Sequence, residues 1–136
     1  MNEIANMKAY PHPLIVKLLD EFINSNGNKC LVLELYQDRD FKKYLGDRQG
    51  ENFSEPEILR FLANIILAVF HINSRDIFHR DLKPDNLLIK KRNEDGKIHL
   101  YLSDFGFAKN IKDMDATQST ASNIKGTPLY LSPEAH

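Results

Sequence analysis

Apolar residues recur along this chain in two rhythms. Ile15 to Ile23 (IVKLLDEFI) and Lys29 to Leu35 (KCLVLEL) are short β-leaning runs, and Asn24-Ser25-Asn26-Gly27-Asn28 between them supplies residues that tolerate positive φ. The pattern predicts a hairpin. A polar stretch, Gln37 to Gly50, follows as a connector with a short helical turn. The rhythm then changes. Ser54-Glu55-Pro56-Glu57 has the spacing of a capping box with proline in the first turn, and Ile58, Phe61, Leu62, Ile65, Ile66, Val69 and Phe70 fall on one helical face. This predicts a helix to about Ser74, roughly 30 Å long at about 1.5 Å per residue. Beyond it, Leu87 to Ile89 reads as a strand and Lys90 to Lys97 as a polar turn. Ile98, Leu100 and Leu102 alternate with His99 and Tyr101 as a half-buried strand ending at Asp104. Asn110 to Lys125, rich in Asp, Ser, Thr and Asn, reads as a mobile loop before apolar and turn residues return at Gly126 to Glu134.

Composition narrows the class. The 136 residues, 42% hydrophobic and 27% charged, suit one ordinary globular domain. Eighteen basic and nineteen acidic side chains nearly cancel, so no global field argues for nucleic acid or an anionic membrane. No apolar run reaches the roughly 18 residues that span a bilayer, and Met1 to Lys8 has no signal-peptide apolar block. Cys30, the single cysteine, excludes an internal disulfide framework and is expected as a buried structural thiol in a reducing compartment. A cytoplasmic location is the expectation, with the nucleus as its alternative. The five histidines form no HExxH or Cys/His cluster, and Lys90-Lys91-Arg92 reads as a solvated turn.

The chemistry is concentrated in Phe78 to Ile89, FHRDLKPDNLLI, and in Asp104-Phe105-Gly106 fifteen residues after it. Asp81, Lys83 and Asn86 each have an ordinary explanation alone, as a turn cap, a solvated charge and a backbone-bonding amide. Their spacing at i, i+2 and i+5, just before an apolar strand, gathers three polar groups around one point. Asn86 and Asp104 are oxygen ligands of the kind Mg²⁺ prefers. A carboxylate to orient a hydroxyl, a cation for a phosphate and two metal ligands are the parts that phosphoryl transfer needs.

With His79-Arg80-Asp81-Leu82-Lys83-Pro84-Asp85-Asn86, Asp104-Phe105-Gly106 and Ser132-Pro133-Glu134 in order, the chain resembles the eukaryotic protein kinases. Lys83 and Gly126-Thr127-Pro128-Leu129-Tyr130-Leu131 resemble the serine/threonine branch. The resemblance implies an α+β, kinase-like fold in part: residues 1–36 as the end of the smaller lobe (a remnant of its regulatory helix, a hairpin and the hinge), and 37–136 as the first half of the helical lobe with its catalytic and activation loops. It implies ATP and Mg²⁺ as cofactors and protein serines or threonines as substrate. Asp81 would be the base or hydroxyl orienter, Lys83 the phosphate stabiliser and Asn86 and Asp104 the metal ligands. Thr127 would bond both Asp81 and Lys83. Around the nucleotide, Leu33 would be the gatekeeper, the Glu34 carbonyl and Tyr36 N–H would meet adenine, Asp40 would reach ribose and Leu88 would floor the base.

Regulatory positions are implied as well. Glu3, nine residues before His12, matches the regulatory-helix glutamate, and Met7, Leu18, His79 and Phe105 match a stack completed in the active state. Arg80 with Lys109 would grip a loop phosphate. Thr117, Ser119, Thr120 and Ser122 are candidate acceptors, although the family's usual position falls near Asn123.

Two family parts do not occur in the sequence: a Gly-rich phosphate loop and the strand lysine that pairs with Glu3. The chain is therefore expected to be an internal piece of a kinase, with negligible activity by itself and exposed apolar faces. The competing readings are a non-catalytic truncated kinase serving as a binding module or decoy, and a small-molecule kinase of related fold. The Ser132-Pro133-Glu134 segment and the long loop before it favour a protein substrate over the latter.

Overall fold

The computed structural model describes residues 11–36, 40–110, 126–131 and 133. Among these, two α-helices and six strands form a mixed α and β arrangement. Strands β1 (Leu18–Ile23) and β2 (Lys29–Leu33) pair antiparallel as the sequence predicts. Asn24 builds the turn: its Oδ1 accepts from the backbone N–H groups of Asn26 (3.0 Å) and Asn28 (2.9 Å), and Gly27 takes φ +78°.

The 37–50 connector holds more helix than one turn. Helix α1 (Phe41–Asp47) is started by Asp40, whose side chain accepts from Lys43 N–H at 2.8 Å. Phe41 and Tyr44 from this helix stack on Phe53 at centroid separations of 6.2 and 6.0 Å, Phe41 and Phe53 meet Phe61 edge-on at 5.4 Å, and Arg48 lies 4.2 Å over the Phe53 ring. That aromatic cluster docks α1 on the long helix α2 (Glu55–Asn73). Helix α2 starts as expected, with the Glu57 carboxylate accepting from Ser54 N–H at 2.9 Å and Ser54 Oγ at 2.7 Å.

Its buried face takes only part of the stripe the periodicity selected. Phe61, Asn64, Ala68 and Ile72 are buried, with Ile65 and Val69 half-buried beside them. Ile58, Leu62, Ile66 and Phe70 are 44–69% exposed. Apolar residues occupy nearly the whole circumference of this helix, so the pattern could not choose between stripes. The deciding residue is polar. Asn64 Oδ1 accepts from the backbone N–H of Leu100 at 3.0 Å, and Arg60 Nε donates to the Ile98 carbonyl at 2.9 Å, so the helix grips the last hairpin by its backbone.

That hairpin is β4 (Leu87–Lys91) with β5 (Ile98–Leu102), antiparallel and in register Leu87↔Leu102 through Lys91↔Ile98. The expected half-buried alternation of β5 is corrected: His99, Leu100, Tyr101 and Leu102 are all buried, because α2 covers one face and residues 14–16 and 36 crowd the rest. Likewise Lys90 and Lys91 belong to β4, not to a free polar turn. Lys90 Nζ pairs with Glu34, and Arg92 Nε donates to the Tyr101 hydroxyl at 3.0 Å. Leu14 to Val16 lies alongside β5, with Val16 N–H donating to Leu102 O and Leu102 N–H to Leu14 O, both at 2.9 Å. A further short pair, β3 (Ile77–Phe78) with β6 (Lys109–Asn110), closes the loop region and was not foreseen. Cys30 is half-buried, not buried, with its thiol 3.8 Å from the Asn28 carbonyl.

Replacing Asn64 by leucine should therefore destabilise the chain although it adds hydrophobicity. It leaves the buried Leu100 N–H without an acceptor, at a cost of about 1–3 kcal/mol. Ile66→Gln on the exposed stripe should change stability little. Urea unfolding of the two variants beside the parent chain checks both; equal effects would refute the assignment of faces.

Candidate active site

The site rests on one backbone oxygen. The Asn86 carbonyl accepts from both the N–H and the Oγ of Ser103, each at 2.9 Å. The bond extends the β4–β5 ladder by one rung, so Asn86, in a 3₁₀ turn over Pro84–Asn86, stands beside the residue before Asp104. Two loops far apart in sequence are thereby set edge to edge.

Asp81, Lys83, Asn86 and Thr127 form one hydrogen-bonded cluster. Lys83 Nζ reaches Asp81 Oδ2 at 2.7 Å and donates to Thr127 Oγ1 at 2.8 Å. Thr127 Oγ1 in turn donates to Asp81 Oδ1 at 2.8 Å. Asn86 Nδ2 donates to the Asp81 carboxylate at 3.0 Å and to its backbone carbonyl at 2.8 Å. Asp81 is only 3% exposed. Burial alone would push its carboxyl up, but the donors Lys83, Thr127 and Asn86 together hold it below the usual carboxylate range. Lys83 is pushed up, chiefly by its bond to Asp81. Both groups are charged at neutral pH.

The amide of Asn86 is oriented by its two donated bonds, which leaves its oxygen on the opposite side. Asp104, exposed and at φ +60°, offers a carboxylate whose Oδ1 accepts the Gly106 N–H at 3.2 Å. This all-oxygen pair suits a hard divalent cation that keeps water and phosphate in its remaining positions. No group of three or more His, Cys, Asp or Glu side chains forms a metal cage among the described residues.

His79 supports the site from below. Buried, it bonds the Ser103 carbonyl through Nε2 at 2.9 Å and meets the Phe105 ring edge-on at 5.1 Å. Burial lowers its pKa, so it stays neutral with the Nε2 proton on Ser103. Leu18, of the same expected stack, packs half-buried against the core, while Met7 and Glu3 lie outside the described residues. Arg80, at φ +65°, donates from Nε to the Phe107 carbonyl at 2.7 Å, and Lys109 stands opposite Phe78, two residues before it. The candidate acceptors Thr117, Ser119, Thr120 and Ser122, with Ser132 and Glu134, lie outside the described residues.

The expected nucleotide residues come from the end of β2, the segment after it, the start of α1 and strand β4. Leu33 ends β2 opposite Leu18 and is 40% exposed. Glu34 N–H donates to the Lys17 carbonyl at 2.9 Å, its carboxylate pairs with Lys90, and the Tyr36 ring sits half-buried on Tyr101. Asp40 forms a bridge with Leu88, which joins it to the β4 strand. Its Oδ1 accepts from Lys43 N–H at 2.8 Å and its Oδ2 lies 3.5 Å from Lys43 Nζ, so the residue expected at ribose also caps helix α1. Two contributors escaped the sequence reading: Ser103, and Gly126. A Cβ on Gly126, at φ +137°, would lie 2.7 Å from the Arg80 carbonyl oxygen and 2.8 Å from Leu131 Cδ2. The close approach delivers Thr127 to Asp81; a glycine directly before the expected threonine was the available clue.

Thr127→Val should raise the Asp81 pKa toward the ordinary value by removing one donor. A depressed carboxyl stabilises the fold above the unfolded-state pKa of about 3.9 and loses that contribution as pH falls through the folded value. The acid-unfolding midpoint of the variant should thus move to higher pH. Gly126→Ala should do the same and add about 1–3 kcal/mol of backbone strain. Carboxyl NMR titration and acid unfolding read these; an unmoved Asp81 would refute the cluster.

Comparison with known proteins places this geometry in a family. The model of the protein kinase domain matches residues 1–135. The serine/threonine-protein kinase nekl-2 of Caenorhabditis elegans is 35% identical over 140 residues, covering 98% of this chain and 37% of that protein. Serine/threonine-protein kinase Nek1 of Mus musculus is 37% identical over 131 residues, covering 96% of this chain and 10% of that protein. CBL-interacting protein kinase 22 of Oryza sativa subsp. japonica is 37% identical over 126 residues, covering 90% and 27%. The chain spans between a tenth and two-fifths of the length of these relatives. With a single family model running across almost all of its residues, this chain belongs to the protein kinase domain family.

Proposed function

We propose that this chain carries the catalytic floor of a serine/threonine protein kinase, which transfers the terminal phosphoryl group of ATP to a protein hydroxyl. The observation that carries the reading is the closed Asp81–Lys83–Thr127 triangle beside Asn86. Asp81, held ionised by three donors, is a weak base. It accepts a hydrogen bond from the incoming hydroxyl and orients it, and takes the proton only once transfer has made that oxygen acidic. Lys83 places a fixed positive charge where negative charge builds on the transferring phosphate. Thr127 bridges the two and fixes the spacing between orienter and cation. Asn86 and Asp104 would hold Mg²⁺, which supplies charge neutralisation across the phosphates.

The finer placement follows from the same reading. Residues 1–36 correspond to the end of the smaller lobe and the hinge, and 37–136 to the helical lobe through Ser132-Pro133-Glu134. Leu33, Glu34, Tyr36 and Leu88 line the adenine side, and Arg80 with Lys109 receives a phosphate from the loop that holds Ser122. The sequence contains neither a Gly-rich loop nor the lysine partner of Glu3, so these 136 residues alone should transfer little phosphate.

The decisive experiment grafts the segments flanking the matched region of nekl-2 onto this chain and follows phosphate from labelled ATP into serine and threonine of a general protein substrate. Incorporation should appear in the chimera. It should fall about 10²–10⁴-fold in Asp81→Asn and about tenfold in Thr127→Val, the latter being the loss of one hydrogen bond of about 1.4 kcal/mol. A chimera that binds Mg·ATP yet transfers equally with and without the Asp81 carboxylate would sink the assignment. Robust Asp81-dependent transfer by the 136 residues alone would overturn their inactivity.

A further inference from the structure

A broad groove of about 1170 Å³ opens on the described surface away from Asp81, between three segments distant in sequence: Pro11 to Leu18, Glu34 to Tyr36, and Lys90 to Glu94 with Tyr101. Of the described residues that line it, none belongs to the Asp81 cluster, while Glu34 and Tyr36, placed above on the adenine side by their backbone groups, contribute to its wall. Its floor is aromatic, with the Tyr36 and Tyr101 rings in contact at 4.9 Å and an interplanar angle of 55°. Tyr36 is a neutral phenol, its pKa pushed well up by burial and by the Glu34 carboxylate.

The rim is charged and unequal. Among the described residues, Lys17, Lys90, Lys91 and Arg92 line it against Glu34 and Glu94, on a chain whose formal net charge is −1. The imidazole of His12, also on the rim, adds no charge at neutral pH: burial and the neighbouring His71 and Arg75 lower its pKa. Two of the cations are held in place before anything arrives. Lys90 Nζ is paired with Glu34 and lies 5.5 Å over the Tyr36 ring. Arg92 bonds the Tyr101 hydroxyl, its guanidinium carbon 5.8 Å from that ring's centre. Groups ordered in advance lose less entropy on binding, which raises affinity without new contacts.

We propose that this groove is a docking site for an acidic, aromatic-containing peptide segment of a partner protein. Charge complementarity selects an anionic occupant, and the tyrosine floor selects one with a flat apolar side chain. The rim carboxylates of Glu34 and Glu94 favour a peptide over nucleic acid. They repel a continuous row of phosphates, whereas a peptide brings backbone N–H groups that such carboxylates accept. The proposal does not depend on phosphoryl transfer at Asp81, because no residue of that cluster lines the groove.

The test is fluorescence anisotropy of the full chain with a fluorescein-labelled Glu-Glu-Tyr-Glu-Glu-Leu peptide, its Lys-Lys-Tyr-Lys-Lys-Leu counterpart and a single-stranded oligonucleotide. Saturable binding of the acidic peptide is expected, with a Kd on the order of 10–100 µM, weakening as salt rises. Lys17→Glu with Lys91→Glu should weaken it about tenfold. Lys17 and Lys91 are exposed side chains, so these variants should keep the parent circular dichroism. Lys29→Glu, on the β1–β2 hairpin outside the groove, should leave binding unchanged. The proposal is overturned by an acidic peptide that does not saturate, by a lysine peptide or an oligonucleotide that binds as well, or by binding indifferent to the double variant.

Discussion

One backbone oxygen, the carbonyl of Asn86, constrains the rest of the site. By accepting from both the N–H and the hydroxyl of Ser103, it ties the end of the Asp81–Asn86 loop to the start of the Asp104 loop. The tie is rigid because of what stands behind it. Strands β4 and β5 are buried through Leu87, Ile89, Leu100 and Leu102, held by α2 through Asn64 and by Leu14 to Val16 through paired backbone bonds. A shift of β5 against β4 would move Asp104 relative to Asn86 and break the Ser103 bonds together. Short side chains at the end of a buried hairpin thus acquire fixed positions that a free loop would not give them.

A buried carboxylate is costly unless donors surround it, and Asp81 has three. The arrangement stabilises the ion and also weakens it as a base, so stability and chemistry pull in the same direction only if orientation matters more than basicity. Backbone strain marks the same neighbourhood. Arg80 and Asp104 both take positive φ, and Gly126 passes within a Cβ's reach of the Arg80 carbonyl. Left-handed non-glycine residues cost on the order of 1 kcal/mol or more each, and here they stand at Asp104 and directly before Asp81.

Much of this was legible in the sequence, for identifiable reasons. The hairpin was announced by Asn24 to Asn28 and the helix start by Ser54 and Glu57, because both depend on local hydrogen bonds among neighbours. The polar cluster was legible because Asp81, Lys83 and Asn86 lie within six residues. What failed depends on distant partners. The stripe that α2 buries is chosen by Asn64 meeting Leu100, thirty-six residues on, which no periodicity contains. Lys90 and Arg92 looked like solvated charges because their partners, Glu34 and Tyr101, arrive only through folding. The cap that Asp40, expected at a ribose, gives its own helix through Lys43 N–H was also not foreseen.

The apolar residues left exposed show which half of the molecule holds the site together. On α2 the stripe of Ile58, Leu62, Ile66 and Phe70 faces away from β5, and on the first hairpin Leu19, Phe22 and Ile23 are exposed. A helix apolar on nearly all sides ordinarily has neighbours on nearly all sides. Yet among the described residues the bonds that position Asp81, Asn86 and Asp104 come from Lys83, Thr127, His79 and Ser103 beside the β4–β5 hairpin, and none comes from the outer stripe. Whatever covers the outer stripe therefore contributes to stability and solubility, through area removed from water. The orientation of the site is already determined on the inner side, by Asn64, Ser103, His79 and Thr127 acting on two loops.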